Sequence, residues 1–403
     1  KRKAMRATRG DDSSSNHHHH HHHGQDDNDD DKKVDATCKV MMMTPSPPQR
    51  VLSIQSHVVS GYVGNKSATF PLQLLGLDVD VVNSVQFSNH TGYPGGWEGH
   101  VLKGDQLRQL LAGLQRNHLT HQINHVLTGY IGSESFLEAV VDVVQGIRNR
   151  QKTNRNHQPP QQQPQQQQPL RYVCDPVLGD DGKFYVPSEL VQVYKQRVIP
   201  IADVVTPNQF ETEQLTGISI ASLPQARTAC NALHAMGPSL VVITSLVLPD
   251  HPETLTVVAS WQRQEKQEEQ PDHNNNTSSP PSVWSISCPV LPGRFTGTGD
   301  LFAALLLAHT CTNAATTHKD NASVLDLPRA LEQVVNTMYA VIERTHRYAS
   351  SGVVVGDAVD KLDDNNDANS SGTATTRARE LQLIQSKRDI ECPPQRFRAV
   401  ELK

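Results

Sequence analysis

From residue 51 onward, short apolar runs alternate with longer stretches whose apolar residues recur at helical spacing. The runs Val51–Gln55, Val79–Asn83, His125–Thr128, Tyr172–Cys174, Asp203–Thr206 and Leu240–Thr244 read as strands. Between them, Asn65–Leu75, Ser133–Arg148, Pro187–Val198, Asn208–Leu215 and Leu223–Met236 read as helices. Pro71 should kink the first of these or mark its late start. Repeated β-α-β order predicts an α/β fold, with a mostly parallel central sheet and helices on both faces. Leu255–Trp261 and Val283–Val290 then read as an antiparallel edge pair joined by a polar insert, and helices are expected at Leu301–Thr310, Val324–Tyr348 and Ala378–Ser386.

Composition limits how much of the 403 residues can take part. Residues 1–49 are charged, Ser-rich or His-rich, residues 151–169 are mostly Gln, Pro, Asn and basic groups, and 262–282 and 357–378 are polar. Such segments bury too little apolar surface to offset their ordering entropy. About 290 residues remain, the size of one large α/β domain, expected over 50–403 with the polar stretches as inserts. The run His17–His23 is either an affinity tag or native low complexity, and the Gln and Asn runs elsewhere favour the second. A net charge of −5 gives no sign of a nucleic-acid partner. No apolar stretch approaches the ~20 residues needed to span a bilayer, so no membrane partner is expected. Six cysteines without a C-x-x-C pair suit free thiols in a reducing, cytoplasmic setting.

The polar residues follow the strands. The first strand ends at Ser56, and the second leads to Phe87-Ser-Asn-His-Thr-Gly92. Others end at Thr128-Gly-Tyr130, Asp175-Pro176, Thr206-Pro-Asn208 and Thr244-Ser245. In an open α/β sheet the ligand crevice lies outside the carboxyl ends of the strands, so these residues should share one rim. Taken singly, each is an ordinary strand end or helix cap; agreement among all of them favours a crevice.

Residues Phe295-Thr-Gly-Thr-Gly-Asp300 open into the apolar run Leu301–Leu307. A glycine-rich turn entering a helix aims free N–H groups at one point, where they can cradle a phosphate. Asp300 beside that point suits a base that takes the proton of an attacking hydroxyl. The competing explanation is a tight turn with Asp300 as its N-cap.

Arg50-Val-Leu-Ser-Ile-Gln-Ser-His57, Asn83-Ser-Val-Gln-Phe-Ser-Asn-His-Thr-Gly-Tyr93, Tyr172-Val-Cys-Asp-Pro-Val-Leu-Gly-Asp180, Thr206-Pro-Asn-Gln-Phe-Glu211, Gly297-Thr-Gly-Asp-Leu-Phe-Ala303 and Gln385-Ser-Lys-Arg-Asp-Ile390 together resemble the pyridoxal kinase family of the ribokinase-like superfamily. The resemblance runs over about residues 50–395, broken by the polar inserts. It implies a ribokinase-like fold, ATP-dependent phosphorylation of the 5′-hydroxyl of pyridoxal, pyridoxine and pyridoxamine, Mg²⁺, a monovalent cation (K⁺ or Na⁺), and a homodimer. By matching position it makes Asp300 the general base and lays Gly299 against the vitamin. Ser56 and Thr91 would bond the pyridine ring's polar groups; Val85, Phe87 and Tyr130 would shape its pocket, with His90 nearby. Asp175, Asn208, Gln209, Phe210, Glu211, Thr244, Ser245, Gly297 and Thr298 fall on the ATP side, and Leu291, Pro292 and Gly293 beside the adenine. Asp180 would hold Mg²⁺, and Asp175, Thr206 and Thr244 the monovalent ion. Hard oxygen ligands of this kind suit those cations.

Some positions depart from the family pattern: Thr296 before the Gly-Thr-Gly-Asp turn, Leu246 after Thr244-Ser245, the Gly- and Pro-rich Tyr93–Trp97 loop, and a short Gly179–Val186 loop. Two rivals stand beside the kinase reading: a hydroxymethylpyrimidine kinase of the same superfamily, and a non-catalytic vitamin-binding homologue. Ser56 and the block Phe87–Tyr93 argue against the first, and the intact Asp180, Asp300 and turn glycines against the second.

Overall fold

Strands buried on both faces need near-continuous apolar sequence, and the valine-rich runs supply it. The computed structural model describes residues 49–157, 169–263, 280–312, 325–351 and 367–403. The His run, and most of the N-terminal and Gln-rich segments, lie outside the described residues. The strands are β1 (Arg50–Val58), β2 (Asp78–Phe87), β3 (Gly99–Val101), β4 (Ile123–Thr128), β5 (Arg171–Cys174), β6 (Gly179–Asp180), β7 (Lys183–Phe184), β8 (Val204–Val205), β9 (Leu240–Val247), β10 (Thr254–Trp261), β11 (Ser282–Pro289) and β12 (Val400–Glu401). Ten of them form one sheet in the order β12-β11-β10-β9-β8-β5-β4-β1-β2-β3, and β6-β7 is a separate hairpin. From β2 through β9 the pairings are parallel. β3 at one edge and β10–β12 at the other pair antiparallel.

The helices are α1 (Asn65–Leu74), α2 (Gly104–Arg116), α3 (Glu134–His157), α4 (Leu190–Val193), α5 (Gln209–Thr216), α6 (Leu223–His234), α7 (Thr298–Thr312), α8 (Leu327–Ser350), α9 (Asp367–Ala378) and α10 (Lys387–Glu391). Successive strand residues point to opposite faces, and the two cores show it. Leu52, Val126, Tyr172 and Val241 pack with residues of α2, α3 and α6 on one side. Val51, Leu127, Val173 and Val242 pack with α1, α7 and α8 on the other. Helix α7 is buried all round from Leu301 to Ala308, as a helix apolar on every face must be. Its start is therefore fixed rigidly under the sheet's carboxyl end.

Several expectations need correction. α1 starts at Asn65 despite Pro71, whose carbonyl accepts the Leu75 N–H at 3.0 Å. α3 runs through the start of the polar segment 151–169. Gln151 anchors it, donating to the Ile123 carbonyl and accepting from the Leu170 N–H, each at 3.0 Å. α9 occupies part of the polar segment 357–378. No helix spans 378–386: Leu381 and Leu383 are buried while Ile384 is exposed, and α10 begins only at Lys387. The predicted helix Pro187–Val198 is four residues of α4 followed by a π-turn over Tyr194–Val198. Amphipathic α2, which buries Leu107 and Leu111, was not anticipated. Among the described residues Cys174, Cys230, Cys288 and Cys311 are free thiols. Among the described residues no helix is long and apolar enough to cross a membrane.

Candidate active site

The Gly-Thr-Gly-Asp turn caps α7. Gly297 has φ +82°, and a Cβ there would lie 2.8 Å from Ser67 Oγ and against the Tyr62 carbonyl, so only glycine fits. The first helical bond runs from Leu301 N–H to the Gly297 carbonyl. The N–H groups of Thr298, Gly299 and Asp300 precede it, as in any helix's first turn. Asp300 is the third residue of α7 and not its N-cap. Its Oδ2 accepts instead from Gly64 N–H at 2.7 Å, on the loop between β1 and α1. Burial raises the Asp300 carboxyl above the ordinary aspartate value, and the Gly64 N–H opposes that rise. Gly129 backs the other oxygen: a Cβ there would sit 3.2 Å from Asp300 Oδ1 and 2.7 Å from Gln55 Oε1. The missing side chain leaves room in front of that oxygen.

On one side of Asp300 lies an apolar slot. Val58, Val63, Val85 and Phe87 form a small buried cluster with Tyr130 against it. Ser84 Oγ donates to the Tyr130 carbonyl at 3.0 Å and fixes the rear of the slot. Trp97 stacks on Phe87 with ring centroids 4.0 Å apart. A register shift between Gln55 and Ser56 leaves Ser84 of β2 as the extra residue and pairs Ser56 with Val85 of the slot, and Gly64 packs on Ser56. Asn65 locks the start of α1 to both strands, donating to the Gln55 carbonyl of β1 at 3.3 Å and, on β2, to the Val82 carbonyl at 3.0 Å and Asn83 Oδ1 at 2.9 Å. Thr91 is exposed on the loop after β2, while His90 is buried beneath it.

On the other side are carboxylates. Asp175 is 5 % exposed. Its Oδ1 accepts from Thr206 Oγ1 at 3.3 Å, and its Oδ2 is buried without a partner. Burial, Glu211 and Asp300 push its carboxyl well above the ordinary range. A Cβ on Gly299 would lie 3.4 Å from that Oδ2, so the turn of α7 faces Asp175 directly. Thr244, within β9, reaches the same region through its N–H, which donates to the Pro207 carbonyl at 3.0 Å. A buried, unpartnered carboxylate oxygen beside a threonine hydroxyl is the donor chemistry of a hard cation, so the residues fit such an ion. Asp180, half-buried in the β6-β7 hairpin, also has its carboxyl raised by burial.

Asn208 and Glu211 are engaged within the protein. Asn208 Oδ1 caps the Glu211 N–H at 2.8 Å, and Asn208 Nδ2 donates to the Gly179 carbonyl at 2.7 Å. Glu211, 3 % exposed, accepts from the N–H groups of Asn208 at 2.9 Å, Leu178 at 2.9 Å and Gly179 at 3.4 Å. Burial lifts its carboxyl to about 7 in spite of these donors. Together they pin the 175–180 loop to the start of α5. Gln209 bridges the Ile220 carbonyl and the Val247 N–H, and Phe210 packs edge-on to Phe184. Ser245 is half-buried beside Thr244, and Leu246 is buried in the core, which accounts for an apolar residue there. Leu291, Pro292 and Gly293 follow β11 on the open side, where Arg294 pairs with Asp181 of the hairpin at 2.9 Å.

Val58, Val63, Gly64, Gln55, Gly129 and Glu380 also belong to the site and were not singled out from sequence. Gly129 carried a weak signal, lying just beyond a strand end that was read as functional.

A family model described as phosphomethylpyrimidine kinase matches residues 161–319. Pyridoxal kinase of Arabidopsis thaliana is 45% identical over 359 residues, 89% of this chain and 95% of that protein. Pyridoxal kinase of Homo sapiens is 42% identical, over 85% of this chain and 96% of that protein. The structure of pyridoxal kinase from Leishmania donovani in complex with ADP and pyridoxamine superposes with a TM-score of 0.68 at 32% identity, covering 88% of this chain and 100% of that one. With the mostly parallel sheet, the glycine turn and the apolar slot, these likenesses establish that the chain belongs to the pyridoxal kinase family.

Proposed function

We propose that the chain transfers the γ-phosphoryl group of ATP to the 5′-hydroxyl of pyridoxal, and of pyridoxine and pyridoxamine, with Asp300 as general base. The observation that carries this reading is the placement of Asp300: inside α7, held by Gly64 N–H from another loop, between an apolar slot and a cation-type carboxylate cluster. The slot of Val63, Val85, Phe87 and Tyr130 receives the flat pyridine ring, with Ser56 and Thr91 as its polar anchors. Asp300 Oδ1, the oxygen not taken by Gly64, accepts the hydroxyl proton as the oxygen attacks phosphorus. The N–H groups of Thr298 and Gly299 and the positive end of α7 meet charge on the transferring phosphoryl. Phosphoryl transfer asks mainly for such positioning and charge stabilisation.

Mg²⁺, held by Asp180 with the phosphates, and K⁺ or Na⁺, held by Asp175, Thr206 and Thr244, would supply counter-charge to the triphosphate. Asn208, Gln209, Phe210 and Glu211 support the loops on the ATP side, and Leu291–Gly293 border the adenine. Residues 50–403 make up the catalytic unit, in a cytoplasmic homodimer. The family-model match names a pyrimidine kinase, so the test offers both substrates. Purified protein is assayed for ATP-dependent phosphorylation of pyridoxal and of hydroxymethylpyrimidine, with and without K⁺. Pyridoxal turnover that depends on K⁺ is expected; preference for the pyrimidine, or no turnover of either, would overturn the proposal.

A further inference from the structure

Glu380 lies far from the glycine turn in sequence, just beyond α9, yet its carboxylate is buried at the vitamin side of the site, 8 % exposed. It accepts from three donors on two loops. Its Oε2 takes the Tyr62 N–H at 2.8 Å. Its Oε1 takes the Tyr93 hydroxyl at 3.1 Å and lies 3.2 Å from His90 Nε2. His90 Nδ1 accepts the Gly92 N–H at 3.1 Å. With Nδ1 accepting, Nε2–H is the nitrogen that donates a hydrogen bond to Glu380. Burial and the Glu380 charge raise the Tyr93 phenol to about 12, so it stays a donor at any ordinary pH. Gly61, at φ +97°, leaves the space the carboxylate fills: a Cβ there would lie 2.6 Å from Glu380 Cδ.

The same two loops build the proposed active site. Tyr62 is two residues before Gly64, the donor to Asp300. His90 and Tyr93 flank Thr91. The C-terminal segment touches this region again at Gly372, where a Cβ would lie 3.2 Å from Pro94 Cγ. We infer that Glu380 is a positioning residue: its carboxylate clamps the loop 59–64 to the loop 88–97 and so sets both the walls of the vitamin slot and the donor to Asp300. A buried carboxylate is retained at such a place only when its donors are satisfied, and here each one comes from a loop lining the slot.

This inference rests on reading the slot as the vitamin site, and the experiment separates the two. Steady-state kinetics are measured for Glu380→Ala, Glu380→Gln and Tyr93→Phe with pyridoxal and ATP varied in turn, alongside Ser56→Ala. The clamp predicts a KM for pyridoxal raised about tenfold in Glu380→Ala and about threefold in Glu380→Gln and Tyr93→Phe, as lost hydrogen bonds of ordinary strength would give. The KM for ATP should stay within about twofold. Tyr93→Phe keeps the ring packing, so it decides the matter if Glu380→Ala does not fold. Loss of thermal stability with kcat and both KM values unchanged would mean a merely structural group and would overturn the clamp. An effect of Ser56→Ala without one from Glu380→Gln or Tyr93→Phe sinks the clamp alone; silence from Ser56→Ala as well sinks the vitamin-site reading.

Discussion

Replacing Gly64 by alanine tests the link between backbone geometry and the base. Gly64 sits at φ +53° and ψ −129°, a region that residues with a Cβ scarcely enter. A Cβ there would lie 2.6 Å from the Ser56 carbonyl carbon and closer still to its oxygen. Both the loop and the end of β1 must yield. Strain and overlap together should cost about 2–4 kcal/mol. For a domain of this size that lowers Tm by about 4–10 °C. The relaxation needed is on the order of 1 Å, and a displacement of that size at a reacting group costs about 10²-fold in rate. Since the Gly64 N–H holds the Asp300 carboxyl down against the effect of burial, its loss should also move the acid limb of the kcat/KM profile to higher pH. Gly76→Ala is the control: φ is +89°, but nothing lies within 4 Å. It should cost about 1–2 kcal/mol through strain alone and leave turnover as it was. Both variants are followed by thermal melts and by pyridoxal turnover across pH. A folded Gly64→Ala enzyme with turnover within twofold of wild type would mean that the Gly64 N–H does not position Asp300.

Asp175→Asn should raise the Tm of the protein in K⁺-free, Mg²⁺-free buffer while removing its response to added K⁺. The folded carboxyl is raised above its unfolded value, so wild type is relatively most stable below the unfolded value and loses stability as pH climbs toward the folded one. The variant's advantage should therefore widen from pH 4 toward neutrality; an advantage confined to acid pH, or an intact K⁺ response, would contradict the cation-site reading. Ser56→Ala and Thr91→Val should weaken pyridoxal binding at a cost of about 1 kcal/mol each and spare binding of an ATP analogue. Calorimetric titration of the two ligands checks this, and equal loss for both would mean that the two half-sites are misplaced.

Part of the candidate site was legible because several of its polar residues follow apolar runs, and strand ends converge in a parallel sheet whatever their separation in sequence. Asp175, Thr206 and Thr244 come together in this way. The glycine turn was legible because Gly297 is required by its own backbone. The Asp300 N-cap alternative was not decidable from sequence: a one-turn difference in where α7 begins separates it from the observed position. Glu380 escaped because its function depends on loops about 290–320 residues away, a pairing that no local pattern encodes. The helix expected at Ala378–Ser386 failed for a related reason: Leu381 and Leu383 bury at alternate positions as the chain turns inward to deliver Glu380. α2 was missed although Leu107 and Leu111 stand at helical spacing, because the run around them is mostly polar.

The most direct test of the account is the turnover of Asp300→Asn with saturating pyridoxal, ATP, Mg²⁺ and K⁺. The amide keeps the size of the side chain and can still accept the Gly64 N–H through its carbonyl oxygen, but it cannot take the hydroxyl proton. Turnover should fall about 10²–10⁴-fold, the scale of a positioned general base. The melting temperature should be held or raised, because a buried charge beside Asp175 is gone. Turnover within a few-fold of wild type, in a variant that binds both substrates, would contradict the assignment of Asp300 as the base.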